Sequence, residues 1–173
     1  MLLKSFEKFY DTLKYVNEFL SIINSDSKIS IRLIDYFITK YSKKNKICYN
    51  INDSTFNIYQ SYKQQLKAYQ KKNFDPFARG LRIPYYIRDT WIITTIGQLN
   101  FFKWFISKNI YDYVNKNKDY IEIDMNKNKK IKVDNKIKKS IKIYKKQQIK
   151  MINNINIEKS NNVKVKGNIL VTF

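Results

Sequence analysis

The sequence predicts a helix-rich α+β fold: amphipathic helices around a central apolar helix at about residues 96–114, with short hairpin strands and a C-terminal strand. Three observations predict it. Apolar residues recur at three- and four-residue spacing through the first third of the chain. Residues 81–88 alternate instead, with the period of a strand. Residues 96–114 are apolar almost all round, as only a central helix can be.

The first helix is read from Phe6, Phe9, Leu13, Val16, Leu20 and Ile23, which share one helical face. Asp26 or Ser27 can cap a second helix with Ile31, Ile34, Ile38 and Tyr41 on its inner stripe, and "YSKKNK" ends it. A short extended piece at Lys46–Ile51 follows. Asp53 or Ser54 can then cap a third helix that buries Tyr59, Tyr62, Leu66 and Tyr69. Lys63, Lys67 and Lys71 lie on its solvated side. Ordinary core packing accounts for all three stripes.

Residues 73–105, "NFDPFARGLRIPYYIRDTWIITTIGQLNFFKWF", differ from their surroundings. They hold both prolines, two of the three glycines, both tryptophans and three of the four arginines. Asp75-Pro76 marks a turn between Phe74 and Phe77. Beyond it Leu81, Ile83, Tyr85 and Ile87 fall on one face of a strand, with Arg82, Pro84, Tyr86 and Arg88 on the other. Pro84 cannot donate to a ladder, so the strand belongs at an edge. "RDT" turns the chain into "WII", its hairpin partner. Thr95 with Gln98 three residues on forms a capping box, which explains "TTIGQ" better than a phosphate cradle does. Gly97 then permits close packing in the first helical turn. Ile96, Leu99, Phe102, Ile106, Ile110 and Tyr113 form the main stripe of the central helix, and Phe101, Trp104 and Phe105 widen it.

After Asn115 the character changes. "DYIEIDM" and "KKIKV" are expected to pair as a hairpin across "NKNK". Residues 134–153 place Ile137, Ile141, Tyr144 and Ile149 near a helical stripe in a lysine-rich background, and "NVKVKGNILVTF" reads as strand with Ile169, Val171 and Phe173 on one face. The division expected is a helix-rich globular domain at 1–125 and a lysine-rich extension at 126–173.

Composition removes several classes of function. There is no histidine, and Cys48 is the single cysteine, so an internal disulfide, a typical zinc site and imidazole acid–base chemistry are excluded. No apolar run approaches the roughly 18 residues of a membrane span. Charged residues break the N-terminal stretch, so no signal-peptide core is read there. The expectation is a soluble intracellular protein without cofactor or membrane partner. The formal charge of +20 is uneven: residues 126–173 carry 14 basic and 2 acidic side chains.

Taken together, "SYKQQLKAYQKKNFDPFARGLRI", "TTIGQLNFFKW" and "NVKVKGNILVTF" resemble a family of small uncharacterised proteins of giant nucleocytoplasmic DNA viruses. The similarity covers most of the chain and is densest from Ser61 to Trp104. The family pattern has a cysteine and two arginines after Asp-Pro-Phe, where this chain has Ala78, Arg79 and Gly80, one basic residue fewer. The resemblance implies a viral setting, in the host cytoplasm (the viral factory) or in the virion, and it implies no activity. An A/T-rich viral genome would also favour lysine codons.

Two roles follow from these residues. One is non-specific binding of DNA or RNA. It would use Arg79, Arg82, Tyr86 and Arg88 around the strand, with Lys136, Lys138, Lys139, Lys142, Lys145, Lys146 and Lys150 in the C-terminal part. A helix-turn-helix at Ile96–Ser107 and Ile110–Asn117 is a sharper version, weakened by the few base-reading side chains in its second helix. The other role is a virion structural or interaction component that meets an acidic virion protein, its arginines pairing with Asp75, Asp89 or the partner. An enzyme is not expected. Glu122 and Asp124 on one strand face could hold a metal, but no third ligand accompanies them.

Overall fold

Two helices, not one, occupy the N-terminal stretch of the structure, a computed structural model that describes residues 2–51, 54–88 and 90–162. Helix α1 is Leu2–Tyr10 and α2 is Leu13–Ile23, with Thr12 extended between them. The turn shifts the phase of the apolar stripe. Phe6, Tyr10, Val16, Phe19 and Ile22 are buried, whereas Leu13 faces out.

Helix α3, Ile31–Tyr36, begins later than Asp26 or Ser27. Ser30 is its cap and accepts the Leu33 amide at 3.2 Å. The Ser27 hydroxyl is already taken by the Ile29 amide at 3.1 Å, a local turn that competes with helix. A π-helical turn at Phe37–Tyr41 leads into the short α4, Ser42–Lys44.

The third helix also starts late. Strands β1, Cys48–Ile51, and β2, Ser54–Asn57, pair antiparallel with Cys48 opposite Asn57. Asn57 caps α5, Ile58–Tyr69, by accepting the Gln60 amide at 2.9 Å. Thr55 and Phe56 are residues that strands favour, so Ser54 opens a strand and not a helix. Asp53 lies outside the described residues.

A 3-10 turn, Lys71–Asn73, leads into the Asp-Pro loop, followed by the hairpin of β3, Ile83–Ile87, and β4, Thr90–Thr94. Its register puts Tyr85 opposite Ile92, Tyr86 opposite Trp91 and Pro84 opposite Ile93. Tyr85 and Ile87 face the core, as the alternation predicts, and Ile83 is half-buried. Leu81 departs from it at 86% exposed, because it precedes the ladder and is not held by it.

Helix α6, Ile96–Ser107, is the hub. Leu99, Phe101, Phe102, Trp104, Phe105 and Ile106 are all buried, and the helix packs against α1, α2, the 3-10 turn and α7, Ile110–Lys116. Phe102 meets Phe19 at 5.4 Å between ring centres, and the Tyr10 hydroxyl donates to the Leu99 carbonyl at 2.8 Å. Thr95 caps α6 by accepting the Gln98 amide at 3.0 Å, a contact of a kind that stabilises by about 1 kcal/mol. The helix stops at Ser107 and does not run on to Val114, because Asn109 adopts a left-handed conformation (φ 54°), which asparagine tolerates.

The hairpin expected across "NKNK" does not form. Both of its segments lie in α8, Lys118–Asn162. No glycine or proline falls within that span to break a helix, and Ile121 is buried while Ile123 is exposed. The predicted helical stripe at 134–153 falls inside α8. The terminal strand read from "NVKVKGNILVTF" lies outside the described residues from position 163 onward. The chain divides into two units, Met1–Asn126 and Lys127–Phe173. The hydrophobic core described here belongs to the first.

Candidate nucleic-acid interface

The Asp-Pro loop is clamped onto the start of α6 by hydrogen bonds from both sides. The Asp75 amide donates to the Gly97 carbonyl at 3.1 Å, Gln98 Nε2 to the Pro76 carbonyl at 2.9 Å and Asn100 Nδ2 to the Asn73 carbonyl at 3.0 Å. Thr94 Oγ1 donates to Gln98 Oε1 at 2.7 Å. The Gln98 side chain therefore does not reach back to Thr95 as a full capping box requires; its Nε2 is spent on the loop and its Oε1 on Thr94 of β4. A Cβ at Gly97 would lie 2.9 Å from the Lys72 carbonyl oxygen, so only glycine lets the two backbones meet.

This seating fixes Arg79. Its Nε donates to Asp75 Oδ2 at 3.0 Å and its Nη2 to Asp75 Oδ1, while the guanidinium lies 4.9 Å over the Phe77 ring. Its forked donors are thus used within the loop. Lys71, Lys72, Asp75, Arg79 and Gly80 line a pocket of about 390 Å³. Burial raises the Asp35 carboxyl, with Arg79, Lys40 and Lys71 near enough to oppose that rise.

Arg88 is likewise engaged. It occupies the two-residue connection of the hairpin with φ 50°, the sign that primed hairpin turns require at this position. Its Nε and Nη2 donate to the Asp11 carbonyl at 3.1 and 2.6 Å, tying the hairpin tip to the bend between α1 and α2. Asp89 lies outside the described residues.

Arg82 is different. It is exposed and makes no hydrogen bond or ion pair among the described residues. It shares the parity of Pro84 and Tyr86 on the outer face of the hairpin, and Tyr86 is 76% exposed. Directly across the ladder stands Trp91, 59% exposed, with Ile93 opposite Pro84. Neither Tyr86 nor Trp91 contacts another ring among the described residues. Sequence reasoning missed Trp91. Its signal was the register: a two-residue connection after Ile87 sends Trp91 to the same face as Tyr86.

The lysines lie on α8. From Lys127 to Lys146 there are ten lysines and one acidic residue, Asp134, and every one of those lysines is exposed. Lys136, Lys138, Lys139, Lys142, Lys145 and Lys146 are linked by three- and four-residue steps, so they share one side of the helix. The side chain of Lys150 lies outside the described residues. The structure thus brings Arg82 and Tyr86 together on the hairpin and the lysines together on α8, and it turns Arg79 and Arg88 to internal acceptors.

The family of unknown function DUF7197 matches residues 1–171 of the chain. The chain belongs to this family. A curated relative, an uncharacterised protein of Acanthamoeba polyphaga mimivirus, is 42% identical over 130 residues, which cover 69% of this chain and 50% of the relative. The chain therefore spans about half the length of that giant-virus relative. No solved structure matches it.

The remaining candidates in this DUF7197 chain have internal partners. Glu122 and Asp124 sit on a helix, not on one face of a strand. Asp124 accepts from the Tyr36 hydroxyl at 2.6 Å and from Lys44 at 2.7 Å, while Glu122 faces Lys118 at 3.7 Å. Among the described residues there is no group of three or more His, Cys, Asp or Glu side chains placed to hold a metal ion. In α7, the second helix of the helix-turn-helix reading, Ile110 and Val114 are buried. Asp112, Tyr113 and Lys116 instead line a pocket with Lys14, Tyr49 and Asn109. No helix among the described residues is long and apolar enough to cross a membrane.

Proposed function

We propose that the protein is a basic viral accessory protein that binds DNA or RNA without sequence preference, in the viral factory or in the virion. The observation that carries this reading is the run of ten exposed lysines on α8, interrupted by one acidic residue. Lysines on a helix meet phosphates as point charges and release counterions, which gives affinity without base readout. The giant-virus relative supports the setting. The proposed role is binding rather than catalysis, since the carboxylates at Asp124 and Asp75 already have cationic partners.

Replacing Lys136, Lys138, Lys139, Lys142, Lys145 and Lys146 with glutamine in the full chain tests it. The slope of log affinity for duplex DNA against log salt is expected to fall by up to about 5. A wild-type protein that retains neither duplex nor single strand at low salt would end this reading.

A second reading has its own observation. Val133, Ile137 and Ile141 recur every four residues and are exposed among the lysines. An acidic virion protein presenting an amphipathic helix would match both features. The glutamine variant would then lose that protein and leave nucleic-acid retention as it was.

A further inference from the structure

We propose that the outer face of the β3–β4 hairpin binds unpaired bases of single-stranded nucleic acid, stacked on Tyr86 and Trp91, with Arg82 on a neighbouring phosphate. The inference rests on the nucleic-acid reading above and adds a form of the ligand that lysines cannot distinguish. It starts from an anomaly of burial. A two-stranded hairpin has one face to pack, and this one packs Tyr85, Ile87 and Thr94. The other face still carries Pro84, Tyr86, Trp91 and Ile93, two of them large aromatics in directly opposed positions. Opposed residues of an antiparallel pair have Cβ atoms about 4.5–5.5 Å apart. Two aromatic side chains thus leave the same face at opposed positions, and neither contacts another ring among the described residues.

Charge selects the occupant. Arg82 stands on this face without a partner among the described residues, in a chain of net charge +20. An apolar protein surface closing over it would bury an unpaired guanidinium, which is strongly unfavourable. A phosphate would satisfy it. Two residues before Arg82, Gly80 lines the pocket it shares with Lys71, Lys72 and the paired Asp75 and Arg79. Bases inside a duplex stack on one another and do not offer their faces, whereas an unpaired strand does. Aromatic stacking with a basic flank therefore fits single strands and is indifferent to which base is read.

The test uses the full chain with a labelled oligothymidylate and a duplex of equal length. Trp91→Ala and Tyr86→Ala are each expected to lower the preference for the single strand over the duplex by about tenfold, as removal of one stacking platform does. The salt slope for the single strand should stay as in wild type, because no phosphate contact is lost. Trp91→Phe should keep most of the preference. In wild type, oligothymidylate should quench the emission of exposed Trp91 and spare Trp104, which is 5% exposed, and the quenching should vanish in Trp91→Phe. An unchanged single-strand preference in Trp91→Ala, with wild type still binding both ligands, would overturn the stacking face and leave the lysine reading standing. Wild type binding neither ligand at low salt would overturn both. Loss of an acidic protein partner in Tyr86→Ala, with single-strand binding intact, would assign the face to protein.

Discussion

Phe102→Ala should lower the unfolding free energy of the first unit by about 3–5 kcal/mol, the usual range for an aromatic removed from a packed core. Phe102 is fully buried on α6, with Phe19 of α2 at 5.4 Å and Phe101 and Phe105 of its own helix at 5.3 and 6.0 Å. Three rings would lose a neighbour at once, and any cavity that remains adds to the cost. Urea unfolding reads the change as a lower midpoint at unchanged slope. Ile123→Ala is the control, an apolar truncation at an exposed site. A Phe102→Ala midpoint equal to wild type would mean that α6 is not the centre of the core.

Gly97→Ala should also destabilise, against the ordinary preference of helices. Alanine in place of a helical glycine normally gains up to about 1 kcal/mol. Here the added methyl would stand 2.9 Å from the Lys72 carbonyl oxygen and 3.3 Å from the Phe74 amide nitrogen. Both are backbone atoms of the 3-10 turn and the loop, so neither can swing aside like a flexible side chain. Separating them also strains the Asp75 amide bond to the Gly97 carbonyl and the Gln98 bond to Pro76. We expect a net loss of roughly 1–3 kcal/mol, typical of overpacking. Gly80→Ala provides the contrast, because a methyl there meets the Lys72 carbonyl oxygen at 3.7 Å, an ordinary contact. A Gly97→Ala protein more stable than wild type would show that the loop does not rest on the helix.

The features legible in the sequence were those written in periodicity. The alternation at 83–87 gave the buried pair Tyr85 and Ile87, and the all-round apolar character of 96–106 gave the central helix. Boundaries were less legible, since competing caps stand close together. Ser27, Ser30, Ser54 and Asn57 are all acceptable caps; the turn that occupies Ser27 and the pairing of Ser54–Asn57 with β1 leave Ser30 and Asn57 to cap. The strand reading of "DYIEIDM" failed because its alternation is also met by a helix that buries Ile121 and exposes Ile123. In the candidate site, the exposure of Arg82 and Tyr86 followed from parity. The Arg79–Asp75 pair was among the pairings the sequence offered, whereas the fate of Arg88 was not, because its acceptor is a carbonyl 77 positions away at Asp11.

That α6 is the hub has a consequence for synthesis on the ribosome. Helices α1 and α2, of 9 and 11 residues, emerge with their apolar faces bare, and helices this short are marginal without a surface to pack on. Their partners, Leu99 and Phe102, are encoded far downstream. At about 5–20 residues per second, translation from Ile23 to Ser107 takes on the order of 5–15 s. Throughout that interval α1 and α2 lack the surface on which they pack. Chains stalled before Ser107 clears the exit tunnel should be cut by protease within α1 and α2, and chains stalled after it should resist.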